Sequence, residues 1–294
     1  MTQPIVKWVG GKGRLLSEIV KRMPATYRTY YEPFVGGGAL FFHQAPPVAV
    51  IGDANKDLFN LYTQVQSPNV EDVIDMLRTL ETQWRERTLP QRAKFYKSIV
   101  EQWNQPVVGT TAPYRAAVFM FLNRTCFNGL WRVNKSGHFN TPMGDYPRDH
   151  TICDPSRLRH AHLVLQRATI RCGDYWGTCS DAQVNDFVYF DPPYDPVSAS
   201  ANFTSYTSGE FGREQQEQLA ERATVLVSNG ASVMLSNADT PFIRKLYGKM
   251  FLRRLGQRRS APVFTIHKVK AQRAINSNGK KRGKVGELII TGGY

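Results

Sequence analysis

The chain has 294 residues, 41% hydrophobic and 12% aromatic, with four cysteines and a formal net charge of +14. That supplies one large core, or one core with an inserted subdomain, and the excess positive charge points to a polyanionic partner. No apolar run approaches the roughly 18 to 20 residues that cross a bilayer, residues 1–12 lack a signal-peptide apolar stretch, and Cys126, Cys153, Cys172 and Cys179 contain no C-x-x-C pair; membrane, exported, zinc-knuckle and disulfide classes are set aside for a reducing cytoplasm.

In chain order, the first feature is Lys7-Trp8-Val9-Gly10-Gly11-Lys12. A phosphate-binding loop ending in Gly11-Lys12 would need Ser or Thr at 13, where Gly13 stands, and its first glycine is missing too. ATP is therefore not expected, and the Lys12 ammonium is left to pair with an acid or a cofactor carboxylate. A helix is predicted next, from Leu15, Ile19 and Val20.

Residues 29–34 read as a strand, and Glu32-Pro33-Phe34-Val35-Gly36-Gly37-Gly38 runs from its end into the apolar segment 39–42. Glycine there lets the backbone turn sharply and approach a ligand at the carboxyl end of a strand, although a plain structural turn fits as well. A nicotinamide fingerprint would want a further glycine at 41, occupied here by Phe41. The next strand, 48–52, ends in Asp53, and an acid at a second strand's tip can accept hydrogen bonds from both ribose hydroxyls of a nucleoside. Its competing role is to cap a helix beginning near Asn55. Glycines and acid together indicate an adenosine-containing cofactor.

From 56 to 155 helical patterns dominate. Val70, Val73, Ile74, Leu77, Leu80 and Trp84 keep helical spacing, 116–122 is a second apolar helical run, and Gly109-Thr110-Thr111 is a turn between helices. Strand-like runs return at 187–190, 232–235 and 288–291, with a helix through Leu219, Ala220, Ala223 and Val227 after the Ser/Thr-rich stretch 197–208. The alternation predicts an α/β fold carrying a helical insertion.

The sharpest signal is Asp191-Pro192-Pro193-Tyr194, directly after the apolar run Phe187-Val188-Tyr189-Phe190. The two prolines stiffen the backbone and donate no N–H, which leaves their carbonyls as acceptors. Adenine's exocyclic amine is a poor nucleophile because its lone pair is delocalised into the ring. Asp191 and the Pro192 carbonyl could each accept one N6 hydrogen and localise that lone pair for attack on a sulfonium methyl, with the Tyr194 ring against the base. Such a pocket cannot reach a base inside a duplex, so base flipping is implied. Further on, 244–284 holds 14 Lys or Arg and no acid, interleaved with Leu255, Val263, Phe264 and Ile266, which predicts a folded basic surface for nucleic acid.

Taken together these motifs resemble the Dam family of DNA adenine methyltransferases, over nearly the whole chain. Residues 7–12 are similar to its amino-terminal Lys-Trp-x-Gly-Gly-Lys, 32–38 to its Glu-Pro-Phe-Val-Gly-x-Gly, and Asp53-Ala54-Asn55 to its Asp-Ile-Asn. Leu122-Asn123-Arg124, Phe127-Asn128-Gly129-Leu130, Arg132, Asn134 and Phe139-Asn140-x-Pro142-x-Gly144 resemble its recognition hairpin, and Asn202-Phe203-Thr204 and Ser277-Asn278-Gly279 match further segments. The resemblance implies a Rossmann-like S-adenosylmethionine-dependent catalytic domain at 1–55 and 156–294, an inserted target-recognition domain at 56–155, and adenine of GATC in double-stranded DNA as methyl acceptor. It implies that Trp8, Lys12, Glu32, Phe34, Gly36, Gly38, Asp53, Asp174 and Asp191 hold the cofactor, and that Asp191, Pro192, Pro193 and Tyr194 are catalytic. For DNA it implies Lys7, Arg124, Phe127, Asn128, Leu130, Arg132 and Pro142, with Phe127 wedged into the base stack, Asn128 supporting the gap and Arg132 reading a guanine. Phe127 departs from the family's usual tyrosine, losing a hydroxyl but not a stacking ring. Asp174 competes with an ordinary turn. The implied location is the cytoplasm of a bacterial cell or phage-infected bacterium, with no obligate protein partner and no metal. Cytosine-N4 methylation and a non-catalytic DNA-binding module are the alternatives; Asp rather than Ser at 191 argues against the first, and intact Asp53 and Asp191 against the second.

Overall fold

Helix caps and strand periodicities account for most of the element boundaries. The computed structural model describes residues 2–105, 109–196, 211–252, 261–272 and 284–294. Its elements, in chain order, are α1 (Leu16–Val20), β1 (Tyr30–Glu32), α2 (Ala39–Gln44), β2 (Ala49–Asp53), α3 (Lys56–Gln66), α4 (Val70–Arg85), α5 (Leu89–Asn104), α6 (Ala112–Thr125), α7 (Pro155–Leu165), β3 (Ala168–Cys172), α8 (Tyr175–Cys179), β4 (Phe187–Phe190), α9 (Arg213–Ser228), β5 (Ser232–Ala238), α10 (Pro241–Gly248), β6 (Phe251–Leu252), β7 (Ala261–Pro262), β8 (Phe264–Gln272) and β9 (Lys284–Gly292). They fall into two units: Met1–Gly11, Gly36–Pro46 and Asp53–Cys172 form the first, and Lys12–Val35, Pro47–Gly52 and Gly173–Tyr294 the second.

The first unit is mainly helical. Asn55 starts α3 by accepting from the Asp57 and Leu58 amides, Thr88 and Gln91 form a capping box on α5, and Thr111 and Asp154 cap α6 and α7. Helix α4 buries the expected stripe of Val73, Ile74, Leu77 and Trp84. Helix α6 is buried on nearly every side from Ala116 to Asn123, the environment that an all-apolar run requires. Trp131, packed on Phe119 at 4.2 Å and Phe139 at 4.4 Å between ring centroids, closes the core at the carboxyl end of α6.

The second unit is built on a sheet in which β2, β1, β4, β5, β9 and β8 are neighbours in that order. The pairs β2–β1, β1–β4 and β4–β5 are parallel; β5–β9 and β9–β8 are antiparallel. β4 is central and all four of its side chains are buried, which explains its uninterrupted apolar sequence. Winding reverses between β1 and β4. Ligands of doubly wound sheets bind beyond the carboxyl ends of strands at such a reversal. Glu32 and Asp191 stand at those two carboxyl ends.

The predicted strands at 29–34, 48–52, 187–190, 232–235 and 288–291 correspond to β1, β2, β4, β5 and β9. Strand β8 is an addition: Phe264 and Ile266, read as apolar residues within a basic surface, belong to a strand running the length of β9. Helices α5 and α7 are additions too. The segments 197–210, 253–260 and 273–283, which carry Asn202-Phe203-Thr204, Leu255, Ser277-Asn278-Gly279 and much of the basic stretch, lie outside the described residues.

Candidate active site

In the second unit, the backbone leaves β4 into Asp191-Pro192-Pro193-Tyr194. Asp191 is partly buried, and its Oδ1 receives two donors: the Lys12 ammonium at 2.7 Å and the Ser236 hydroxyl at 2.7 Å. Ser236 is fully buried and its hydroxyl also meets the Tyr189 hydroxyl at 3.0 Å, so β4 and β5 both position the carboxylate. Among the described residues, no donor reaches Asp191 Oδ2 or the Pro192 carbonyl. Lys12 Nζ also lies 4.5 Å from the centre of the Tyr194 ring, a cation–π contact, and the Tyr194 hydroxyl donates to Glu287 Oε2 at 2.9 Å. Burial, with Asp191 and Glu287 close by, pushes the Tyr194 phenol well above its ordinary range, so it stays neutral and its ring is held at both ends.

Glu32, buried at the end of β1, accepts the Tyr30 hydroxyl at 2.7 Å. Two residues on, Phe34 joins a cluster of rings: Tyr175 stacks on it at 5.3 Å, Phe211 meets it edge-on at 5.7 Å and Phe190 at 6.4 Å. Phe34, Tyr175 and Phe211 are only partly buried, leaving apolar ring surface for a planar ligand. Asp174 is exposed and caps α8 by accepting the Gly177 amide at 2.7 Å.

In the first unit, Asp53 accepts the Gly36 amide through Oδ2 at 3.0 Å and the Asn55 amide through Oδ1 at 2.9 Å. The cap of α3 is Asn55, so the capping role considered for Asp53 is taken by its neighbour. Burial raises the Asp53 carboxyl above the usual range, with the backbone amides pulling the other way. Gly36 has φ +47°, and a Cβ there would meet the Trp8 ring at 2.7 Å; its carbonyl accepts the Tyr62 hydroxyl at 2.6 Å. Glycine is required at this turn both by conformation and by the close approach of Trp8.

Residues 8–275 match the family model for D12 class N6 adenine-specific DNA methyltransferases. The chain belongs to this family. It is 37% identical over 292 residues to the Type II methyltransferase M1.LlaDCHI of Lactococcus lactis subsp. cremoris, covering 98% of this chain and 95% of the relative. It is 36% identical over 299 residues to the Type II methyltransferase M.MjaIII of Methanocaldococcus jannaschii, covering 98% of each, and 37% identical over 289 residues to a DNA adenine methylase of Salmonella typhi, covering 97% and 93%. It is thus an adenine-specific DNA methyltransferase, acting on DNA with a methyl donor. No helix among the described residues is long and apolar enough to cross a membrane.

The methyltransferase's remaining sequence-predicted residues lie in the first unit, around the end of α6. Fully buried Asn123 accepts the Lys7 amide at 2.8 Å and donates to the Lys7 carbonyl at 2.7 Å, clasping the amino-terminal segment. Arg124 donates to the Ile5 carbonyl at 2.8 Å, an intramolecular tie on the same segment. Burial, and then the neighbouring Arg124 charge, lower the Lys7 ammonium below its ordinary value. Phe127 and Asn128 are exposed, and Asn128 adopts φ +56° in a short turn, not in a helix. The Phe127 amide donates to the Pro142 carbonyl at 2.9 Å, bringing those two and Leu130 together. Arg132 opens a hairpin closed by the Val133–Phe139 bridge and a turn at Asn134, whose side chain accepts the Ser136 and His138 amides. Its guanidinium is exposed and donates to Asn140 Oδ1 at 2.8 Å.

Sequence reasoning missed Ser236, Tyr189 and Glu287 around the Asp-Pro-Pro-Tyr, and Tyr175, Phe190 and Phe211 around Phe34. No local motif marks Ser236, Glu287, Tyr175 and Phe211, which strand pairing and ring packing bring in from distant segments; Tyr189 and Phe190 lie in the apolar run before Asp191, where the sequence shows burial but not the partners.

Proposed function

We propose that this enzyme transfers the methyl group of S-adenosylmethionine to N6 of adenine in double-stranded DNA, at GATC, on a base flipped out of the helix. The observation that carries the reading is the division of labour at Asp191: among the described residues Oδ1 takes the Lys12 and Ser236 donors, while none reaches Oδ2 or the Pro192 carbonyl, which are left to accept the two N6 hydrogens. With both hydrogens held in the plane of those acceptors, the N6 lone pair turns out of conjugation and becomes nucleophilic. After transfer N6 sheds a proton, for which Asp191 Oδ2 is the nearby acceptor. Tyr194, neutral and fixed by Lys12 and Glu287, offers its ring to the base, and Pro193 stiffens the loop.

S-adenosylmethionine supplies, when bound, an electrophilic sulfonium methyl. The residues fit such a group by their chemistry. Asp53 keeps acceptor capacity on both oxygens for the ribose diol, Gly36 and Gly38, with Trp8 packed on the turn, are assigned to the cofactor by the family resemblance, and Phe34 with its ring partners suits an adenine. Glu32, Lys12 and Asp191 are the charged groups assigned to the methionine end, and Asp174 to the adenine edge. For DNA, residues 56–155 are the target-recognition domain: Phe127 and Asn128 serve the opened stack, Arg132 reads a guanine, and Lys7, Arg124, Leu130 and Pro142 complete the assignment. The resemblance of this segment to the Dam recognition hairpin supports GATC, and a cytoplasmic site of action follows from a DNA substrate.

Asp191→Ala removes one preorganised acceptor and should lower the methylation rate by about 10² to 10³ or more while circular dichroism remains native. Activity within threefold of wild type would sink the mechanism. Methylome sequencing of a methylation-deficient host expressing the enzyme gives base, position and site together; modification outside GATC would overturn the site assignment.

A further inference from the structure

The catalytic loop has an unusual supply of backbone donors. Pro192 and Pro193 carry no N–H, so the loop cannot be pinned by its own amides and has to be held from outside through carbonyls and flanking groups. Two buried carboxamides do this. Gln216 on α9 donates from Nε2 to the Pro193 carbonyl at 2.7 Å, and Asn237 on β5 accepts the Asp195 amide at 3.1 Å through Oδ1, which also takes the Ala238 amide at 2.8 Å. The two carboxamides are joined to each other, Asn237 Nδ2 donating to Gln216 Oε1 at 3.0 Å. Both residues are only 1% exposed.

The pairing fixes both orientations. Turning the Gln216 amide over would set its oxygen against the Pro193 carbonyl and its nitrogen against Asn237 Nδ2, two mismatches that are costly at carboxamides this buried. One rigid unit, anchored in α9 and β5, therefore grips the loop on the far side of the Pro192 carbonyl. The neighbouring β5 residue, Ser236, grips the Asp191 side.

We propose that the Gln216–Asn237 pair is a positioning device that sets where the Pro192 carbonyl stands relative to Asp191, and so acts on the chemical step without touching substrate. The proposal rests on reading Asp191 and the Pro192 carbonyl as the acceptors of the N6 hydrogens. Misplacing a reacting contact by about 1 Å can cost on the order of 10²-fold in rate. Neither residue carries a charge to offer DNA, so binding should be spared.

The test compares Gln216→Glu, which keeps volume but sets a carboxylate oxygen against the Pro193 carbonyl, with Gln216→Met, Asn237→Ala and the double variant Gln216→Met/Asn237→Ala. Each is assayed at a temperature where its circular dichroism is native, with duplex affinity measured separately by equilibrium titration. Expected is a kcat lowered roughly ten- to hundredfold with the duplex Kd within about twofold, and a double variant within about threefold of the worse single one, because both residues serve one clasp. Should Gln216→Met not fold, Gln216→Glu decides by the same split. A lowered Tm with kcat within twofold of wild type, a weakened duplex Kd at unchanged kcat, or multiplicative losses in the double variant would each overturn the proposal. Asp191→Ala is run alongside. If it stays active, the underlying reading has failed; if it is inactive while the Gln216 variants keep their kcat, only the positioning role has.

Discussion

Asp53 is an acid whose surroundings oppose its charge, since burial raises its carboxyl while the Gly36 and Asn55 amides only partly compensate. The sign of the resulting pH effect is definite. A raised folded-state value means that the free enzyme binds this proton more tightly than the unfolded chain, so ionising Asp53 costs stability as pH rises through the window from the ordinary carboxylate range to the raised value. A ribose diol donating to the carboxylate reverses that preference. S-adenosylmethionine affinity should therefore fall as pH falls through the same window, and titration calorimetry across it should detect proton release on binding. Asp53→Asn removes charge-assisted hydrogen bonds worth about 1.5–3 kcal/mol each, a roughly ten- to hundredfold loss of affinity, and should flatten the pH dependence. An unchanged pH profile in that variant would take the ribose assignment away from Asp53.

At the scale of elements, Phe127 stands on the turn Phe127–Gly129 and Arg132 at the opening of a separate hairpin, so the two roles proposed for them can be tested apart. The turn exposes an apolar ring, while the hairpin presents a guanidinium whose Nε is aligned by Asn140. Arginine paired with guanine O6 and N7 is worth roughly 1 to 3 kcal/mol of discrimination, so Arg132→Ala should relax one base pair of the site. A wedge instead offsets lost stacking, so Phe127→Ala should slow every substrate without changing which is preferred. Steady-state kinetics on GATC and its single-base variants separate the two outcomes; equal slowing of all substrates by Arg132→Ala would make it a phosphate contact. The same elements explain what could be read in advance. Asp191-Pro192-Pro193-Tyr194 and the glycine turn are local in sequence, and β4 announces itself because a strand buried on both faces must be apolar throughout. Strand β8 hid because His267, Lys268 and Lys270 interrupt its apolar pattern inside a basic stretch. Helix α5 hid because its buried face is Arg92, Tyr96, Ile99 and Trp103, correctly spaced but starting on a charge. Ser236, Gln216 and Asn237 were illegible for a different reason: each acts through a partner at least 21 positions away, which only the sheet and α9 bring near.

For the whole molecule, a net charge of +14 sets how strongly binding depends on salt. DNA carries condensed counterions, and each phosphate neutralised by Lys or Arg releases them, so log K falls against log salt with a slope of about −0.9 per contact. Of the 14 basic residues between 244 and 284, Arg244 and Lys268 are already engaged with Asp239, at 3.0 and 3.8 Å, which withdraws part of that charge from the duplex. If six phosphates are contacted by the charge that remains, the slope should be about −5, and affinity should fall by roughly 10³ between 50 and 200 mM salt. Asp239→Asn frees the two cations without adding any, and should steepen the slope by up to about 2 if both then reach phosphates. Filter-binding titrations on a GATC duplex and on a scrambled duplex across that salt range measure both numbers. Because phosphates position without specifying, the two duplexes should give parallel slopes separated by a constant specificity ratio. A nearly flat dependence on either would mean that this charge faces away from the DNA.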